Sequence, residues 1–163
     1  MKVDLKKQRE SSSGPTAQAF LNMAQEYHFA ATTLFSAASR AESPLYFLYT
    51  HTIELALKAF LRSRGLPAPR KHVLETLCRR SQGSGLQIND DLWNVIHLLE
   101  SENKDHGFRY FLFASTSKPE IGYLREAVDT LMTEVTKDSS KWREESASTG
   151  AVLKFTVGKP VKK

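Results

Sequence analysis

The sequence predicts an all-α fold, an antiparallel bundle of four to five helices. Three observations carry that expectation: apolar residues recur at alternating spacings of three and four in several long segments, helix caps and stops fall between those segments, and strand-like alternation is confined to short stretches near the C-terminal end. The 163 residues are enough for one domain with a real core, and a 40% hydrophobic content lies in the ordinary globular range.

The helices follow in order. Residues 1–15 carry charged residues and the linker-like run SSSGP, so they read as a flexible basic arm. From Thr16, the positions Phe20, Ala24, Tyr27, Ala31, Leu34 and Ala38 form a stripe that predicts a helix over 16–39. Ser43 and Pro44 suit a cap and a first helical residue, and Gly65 suits a stop, which predicts a second helix over 44–64. HVLETLCRR predicts a short third helix with Val73, Leu74, Leu77 and Cys78 on one face, ended by SQGSG. Asn89 or Asp90 caps a fourth helix reaching about Asn103, with Leu92, Trp93, Ile96 and Leu99 inward. Ser117 and Glu120 have capping-box spacing ahead of Ile121, Leu124, Val128, Leu131 and Val135, the apolar line of a last helix ending near residue 136. The helical domain is thus expected over 16–136, with 137–163 a polar linker and basic tail. GFRYFLF at 107–113 and the alternating AVLKFTVG at 151–158 are candidates for a small C-terminal β-ribbon.

Charge narrows the function classes. The net charge is +5, but residues 40–80 hold eight basic and three acidic groups, residues 81–136 four and nine, and residues 137–163 seven and three. A basic block on a packed helix suits a phosphate-bearing partner, whereas basic tails also serve simply to solvate. The first residues lack the apolar run of a signal peptide, and no stretch of about 20 apolar residues could span a bilayer. A cytoplasmic protein without a membrane partner is expected. The single cysteine, Cys78, excludes an internal disulfide framework and a multi-cysteine zinc site. No glycine-rich phosphate loop is present, so no cofactor is called for, and the histidine–glutamate spacing on the second helix is too common to mark a metal site.

SPLYFLYTHTIELALKAFLRSRG is the most apolar segment, yet His51, Glu54, Lys58 and Arg62 recur within it at spacings of three, four and four. At about 100 degrees per residue they share one side of the helix. Leu48, Leu55 and Ala59, and Tyr49, Ile53, Leu57 and Phe60, occupy the other sides and suit two packed neighbours. The polar line is then either a solvated edge with an ordinary Glu54–Lys58 pair or the wall of a cleft.

The segments EYHFAATTLF, HTIELALKAFL, RKHVLETL and DHGFRYF, in this order over about 16–136, resemble the HEPN family of small helical domains. The resemblance implies an antiparallel four-helix core, a homodimer with a polar cleft at its interface, and nucleotide binding or RNA binding in a defence or toxin–antitoxin setting, with a nucleotidyltransferase-like protein as a partner. It also implies that an active ribonuclease would show an arginine followed after four to six residues by a histidine. This chain has no such pair; the nearest arrangement is inverted, with His106 ahead of Arg109. Binding without efficient catalysis is the expectation, with His51, Glu54, Lys58, Arg62, His106, Arg109 and Tyr110 as binding residues. The alternatives are a metal-independent ribonuclease, its catalytic groups drawn from His51, His72 and Arg109, or a structural dimerisation or partner-docking module.

Overall fold

The computed structural model describes residues 14–37, 41–69, 72–103 and 118–148. Among them lie five helices and no strand: α1 (Ala17–Ser36), α2 (Glu42–Ser63), α3 (Leu74–Gly83), α4 (Asp90–Asn103) and α5 (Ile121–Ser148). The all-α bundle is therefore as the apolar stripes predict. The anticipated ribbon segments, 107–113 and 151–158, lie outside the described residues.

Local chemistry sets the helix ends. The Thr16 hydroxyl accepts a hydrogen bond from the Ala19 amide at 3.1 Å and opens α1. Ser43 does not cap α2 as expected: the helix starts two residues ahead of Pro44, at Glu42, with no side-chain cap. Pro44 permits this because the first-turn amides have no partner inside the helix, so its missing N–H costs nothing there. At the other end Gly65 takes a left-handed φ of 70°, and the amides of Gly65 and Leu66 bond back to Arg62 and Leu61. Gly85 repeats the device after α3, with φ 100° and Leu86 bonding back to Ser81. Asn89 caps α4, its side-chain oxygen accepting from the Leu92 amide at 3.0 Å. For α5 the Glu120 carboxylate itself accepts from the amides of Gly122 and Tyr123, both at 2.9 Å. Ser117, the expected capping partner, is outside the described residues.

Two further sequence expectations are corrected. Val73 is exposed instead of facing the core, because it stands in extended backbone one residue ahead of α3 and so is out of phase with Leu74, Leu77 and Cys78, which are buried. The helix expected to end near residue 136 continues to Ser148, through much of the segment read as a linker. Asp138 explains the continuation: it accepts from Arg64 at 2.8 Å and from the Trp142 indole at 2.6 Å, and Trp142 packs against the core. These contacts draw a polar stretch of sequence onto the end of α2.

The core surrounds α2. Every residue from Thr52 to Leu61 is buried, with α1, α3 and α5 all packed against the helix. α1 contributes Leu21, Ala24 and Ala31, and α5 contributes Leu124, Val128, Leu131 and Val135. α1 runs antiparallel to α5, since His28 meets Asp129 while Arg125 lies over the Phe35 ring. α2 and α5 run the same way: Tyr46 donates to the Pro119 carbonyl at one end, and Arg64 meets Asp138 at the other. If Trp142 anchors the extended α5, Trp142→Ala should lower unfolding free energy by about 2 kcal/mol in urea titration. A change within about 0.5 kcal/mol, as for a solvated linker position, would count against the anchoring.

Candidate functional site

Positions 51, 54 and 58 face one way because the α2 register brings every third or fourth residue to the same side. That side is no solvated edge: Glu54 and Lys58 are 5% and 7% exposed. Lys58 donates to Glu54 Oε1 at 2.5 Å. The same oxygen lies 2.7 Å from His72 Nδ1, although His72 is eighteen residues further along the chain, in the extended segment before α3. His51 Nδ1 stands 3.6 Å from Oε2, close enough for charge to act but too far for a hydrogen bond. One carboxylate thus gathers an ammonium and two imidazoles.

The electrostatics favour an ionised carboxylate. Burial alone would raise the Glu54 pKa, but His51 and Lys58 beside it, with the Lys58 and His72 charges, hold it at about 2 against the usual 4.5. An ionised carboxylate can only accept, so His72 donates through Nδ1 and its Nε2 bears the lone pair whenever the ring is neutral. The His72 side chain is 56% exposed. Glu54 therefore orients an accessible imidazole, whereas the Lys58 ammonium is turned inward and cannot also serve as a surface cation.

Aromatic rings complete the surroundings. Phe47, one turn before His51 on α2, stacks on the His51 ring at 5.7 Å with planes 12° apart, and Tyr27 from α1 meets it edge-on at 4.6 Å. Sequence reasoning placed Tyr27 only in the apolar stripe of α1 and gave Phe47 no role. Their meeting depends on how α1 and α2 pack, which no spacing within either helix reveals.

Of the anticipated binding and catalytic residues, His51, Glu54, Lys58 and His72 converge. Arg62 lies one turn beyond Lys58 and is half-buried. His106, Arg109 and Tyr110 are outside the described residues. Among the described residues no group of three or more metal-ligating side chains is placed to hold an ion. Cys78 is fully buried, and desolvation pushes its thiol up to about 12, which makes it a core residue and not a nucleophile. A second acid–histidine pair lies between α1 and α5, with His28 Nε2 2.6 Å from Asp129 Oδ1 beside an open groove. Sequence reasoning gave His28 no partner, because the two residues lie 101 positions apart.

The chain matches no protein-family model, and the comparisons with curated proteins and with solved structures found no match. Among the described residues, no helix is long and apolar enough to cross a membrane.

The Glu54 cluster has a measurable pH signature. Its native pKa lies below the unfolded value, so its stabilising contribution is fully present above about pH 4.5 and is lost as pH falls through about 2. Glu54→Gln leaves Lys58 buried without a counter-charge and should destabilise by about 3 kcal/mol at pH 7. The gap between wild type and variant should narrow as pH is lowered from 5 to 2 in parallel denaturant titrations. A gap that stays constant over that range would show that Glu54 does not titrate as described.

Proposed function

We propose that the protein is a HEPN-like helical domain that binds nucleotide or RNA through the Glu54-centred side of α2, without efficient catalysis. The observation that supports this reading is the ionised, buried Glu54 holding the accessible His72 ring beside the Phe47–His51 stack. A phosphate is attracted to the basic block in which the cluster sits, and a base has an aromatic surface within reach. The sequence resemblance adds a homodimer to the proposal and, in a toxin–antitoxin setting, a nucleotidyltransferase-like partner.

One observation favours metal-independent RNA cleavage as a second reading. With Nδ1 committed to Glu54, Nε2 of His72 is poised to take a proton. In such a step it would remove the ribose 2′-hydroxyl proton, the 2′-oxygen would bond to phosphorus, and the 5′-oxygen would leave, protonated by a second group such as His51. The missing arginine–histidine spacing weighs against efficient turnover.

Fluorescence anisotropy with labelled single-stranded RNA tests the binding. Affinity should fall several-fold between 50 and 200 mM salt, and His72→Ala should weaken binding about tenfold while the chain stays folded, the lost hydrogen bond to Glu54 lowering the melting temperature by only about 2–4 °C. Equal binding by wild type and His72→Ala would remove this site from the reading. Gel analysis of RNA incubated with chelator decides between the two readings: intact RNA supports binding alone, and cleavage that His72→Ala abolishes supports the second. Light scattering should give about twice the 18.4 kDa chain mass. A strict monomer at high micromolar concentration would count against the dimer.

A further inference from the structure

The side of α2 that carries the Glu54 cluster also carries an aromatic residue that packing does not explain. Phe47 is 40% exposed, in a helix whose other large apolar residues are buried or half-buried. Its ring lies nearly parallel to His51, which Tyr27 buttresses edge-on. The three rings form a platform fixed by two helices, with His51 in its middle and Phe47 at its accessible end.

From this arrangement we propose that Phe47 is the stacking subsite for an unpaired nucleobase whose phosphate lies at His72. This deepens the binding reading above and rests on it. Phe47 and Glu54 are seven residues apart, which along a helix is about 10 Å. That separation suits one base–sugar–phosphate unit laid along α2, with the base on Phe47 and the phosphate against the imidazole that Glu54 holds. Three features make the platform fit a base better than an aliphatic ligand. A π-face accepts any base, the ring stack is already ordered so that little freedom is lost on binding, and the accessible His72 imidazole offers a polar partner to the phosphate. A base already paired in a duplex cannot present its face, so the ligand is a single-stranded or free nucleotide.

The test uses the full chain with four probes: adenosine monophosphate, ribose 5-phosphate, single-stranded oligoadenylate and a short RNA duplex. Calorimetry should show Phe47→Ala weakening adenosine monophosphate and oligoadenylate by roughly five- to a hundredfold, the usual range for loss of one base stack. Phe47→Trp should retain binding, and ribose 5-phosphate should bind weakly and equally to wild type and Phe47→Ala. A cooperative thermal melt and helical circular dichroism like those of wild type should confirm that both variants are folded. Oligoadenylate binding more tightly than the mononucleotide identifies a strand as the ligand; equal affinities identify the free nucleotide; both support the subsite. Adenosine monophosphate binding that Phe47→Ala leaves unchanged but His72→Ala weakens overturns the stacking subsite and keeps the phosphate site. Binding indifferent to both substitutions, or absent for all four probes, overturns both. Duplex binding as tight as that of the single strand also overturns the subsite.

Discussion

A carboxylate and an ammonium one helical turn apart are enclosed by the bundle, and the arrangement of α2 depends on their meeting. Ion pairs removed from water lose much of their hydration, and only close geometry with further hydrogen bonds offsets the loss. Glu54 meets that condition through Lys58 at 2.5 Å and His72 at 2.7 Å on one oxygen, with His51 near the other. This pairing lets a helix with ten consecutive buried residues keep two ionisable groups among them. It also ties the segment ahead of α3 to the centre of the fold.

The remaining elements can be understood by how they enclose that helix. α1 and α5 bring small and branched apolar side chains against it, and α3 brings Leu74, Leu77 and Cys78. Polar contacts fix the ends: Tyr46 to the Pro119 carbonyl and Lys118 to Glu42 near the start of α2, Arg64 to Asp138 near its finish. Burial sets which faces meet, and these end contacts set how α5 is aligned along α2. The Tyr46 hydroxyl shows the effect of its enclosure, since burial first, and then Glu42 and Glu120, push its pKa to about 12.

Most of the fold was legible because helical periodicity is a local signal. The stripes in α1, α2, α4 and α5 and the glycine after α2 could be read within a window of a few turns. Val73 was misplaced because phase is lost at a helix boundary, where one extended residue turns the side chain away. The continuation of α5 is not legible in the sequence because Asp138 is held by Arg64 at the end of α2 and Trp142 by the core, both far away in sequence. The site was legible in the same partial way: spacing put His51, Glu54 and Lys58 on one side, but it could not decide between solvent and burial. His72 and Tyr27 reach the cluster through tertiary packing. The sequence offers His72 only as one of several scattered catalytic candidates and Tyr27 only as part of a packing stripe.

The several contacts of Glu54 also shape how this sequence can drift. Replacing Glu54 alone strands a buried ammonium, and replacing Lys58 alone takes the closest counter-charge from a buried carboxylate. Exchanging both for apolar side chains of similar volume removes the two charges together and escapes either penalty. The two positions are therefore epistatic, each residue's tolerance being set by the other. Divergent descendants of this chain should either keep the acid–base pair intact or lose both halves together, and those that lose it must hold the segment around residue 72 by other means.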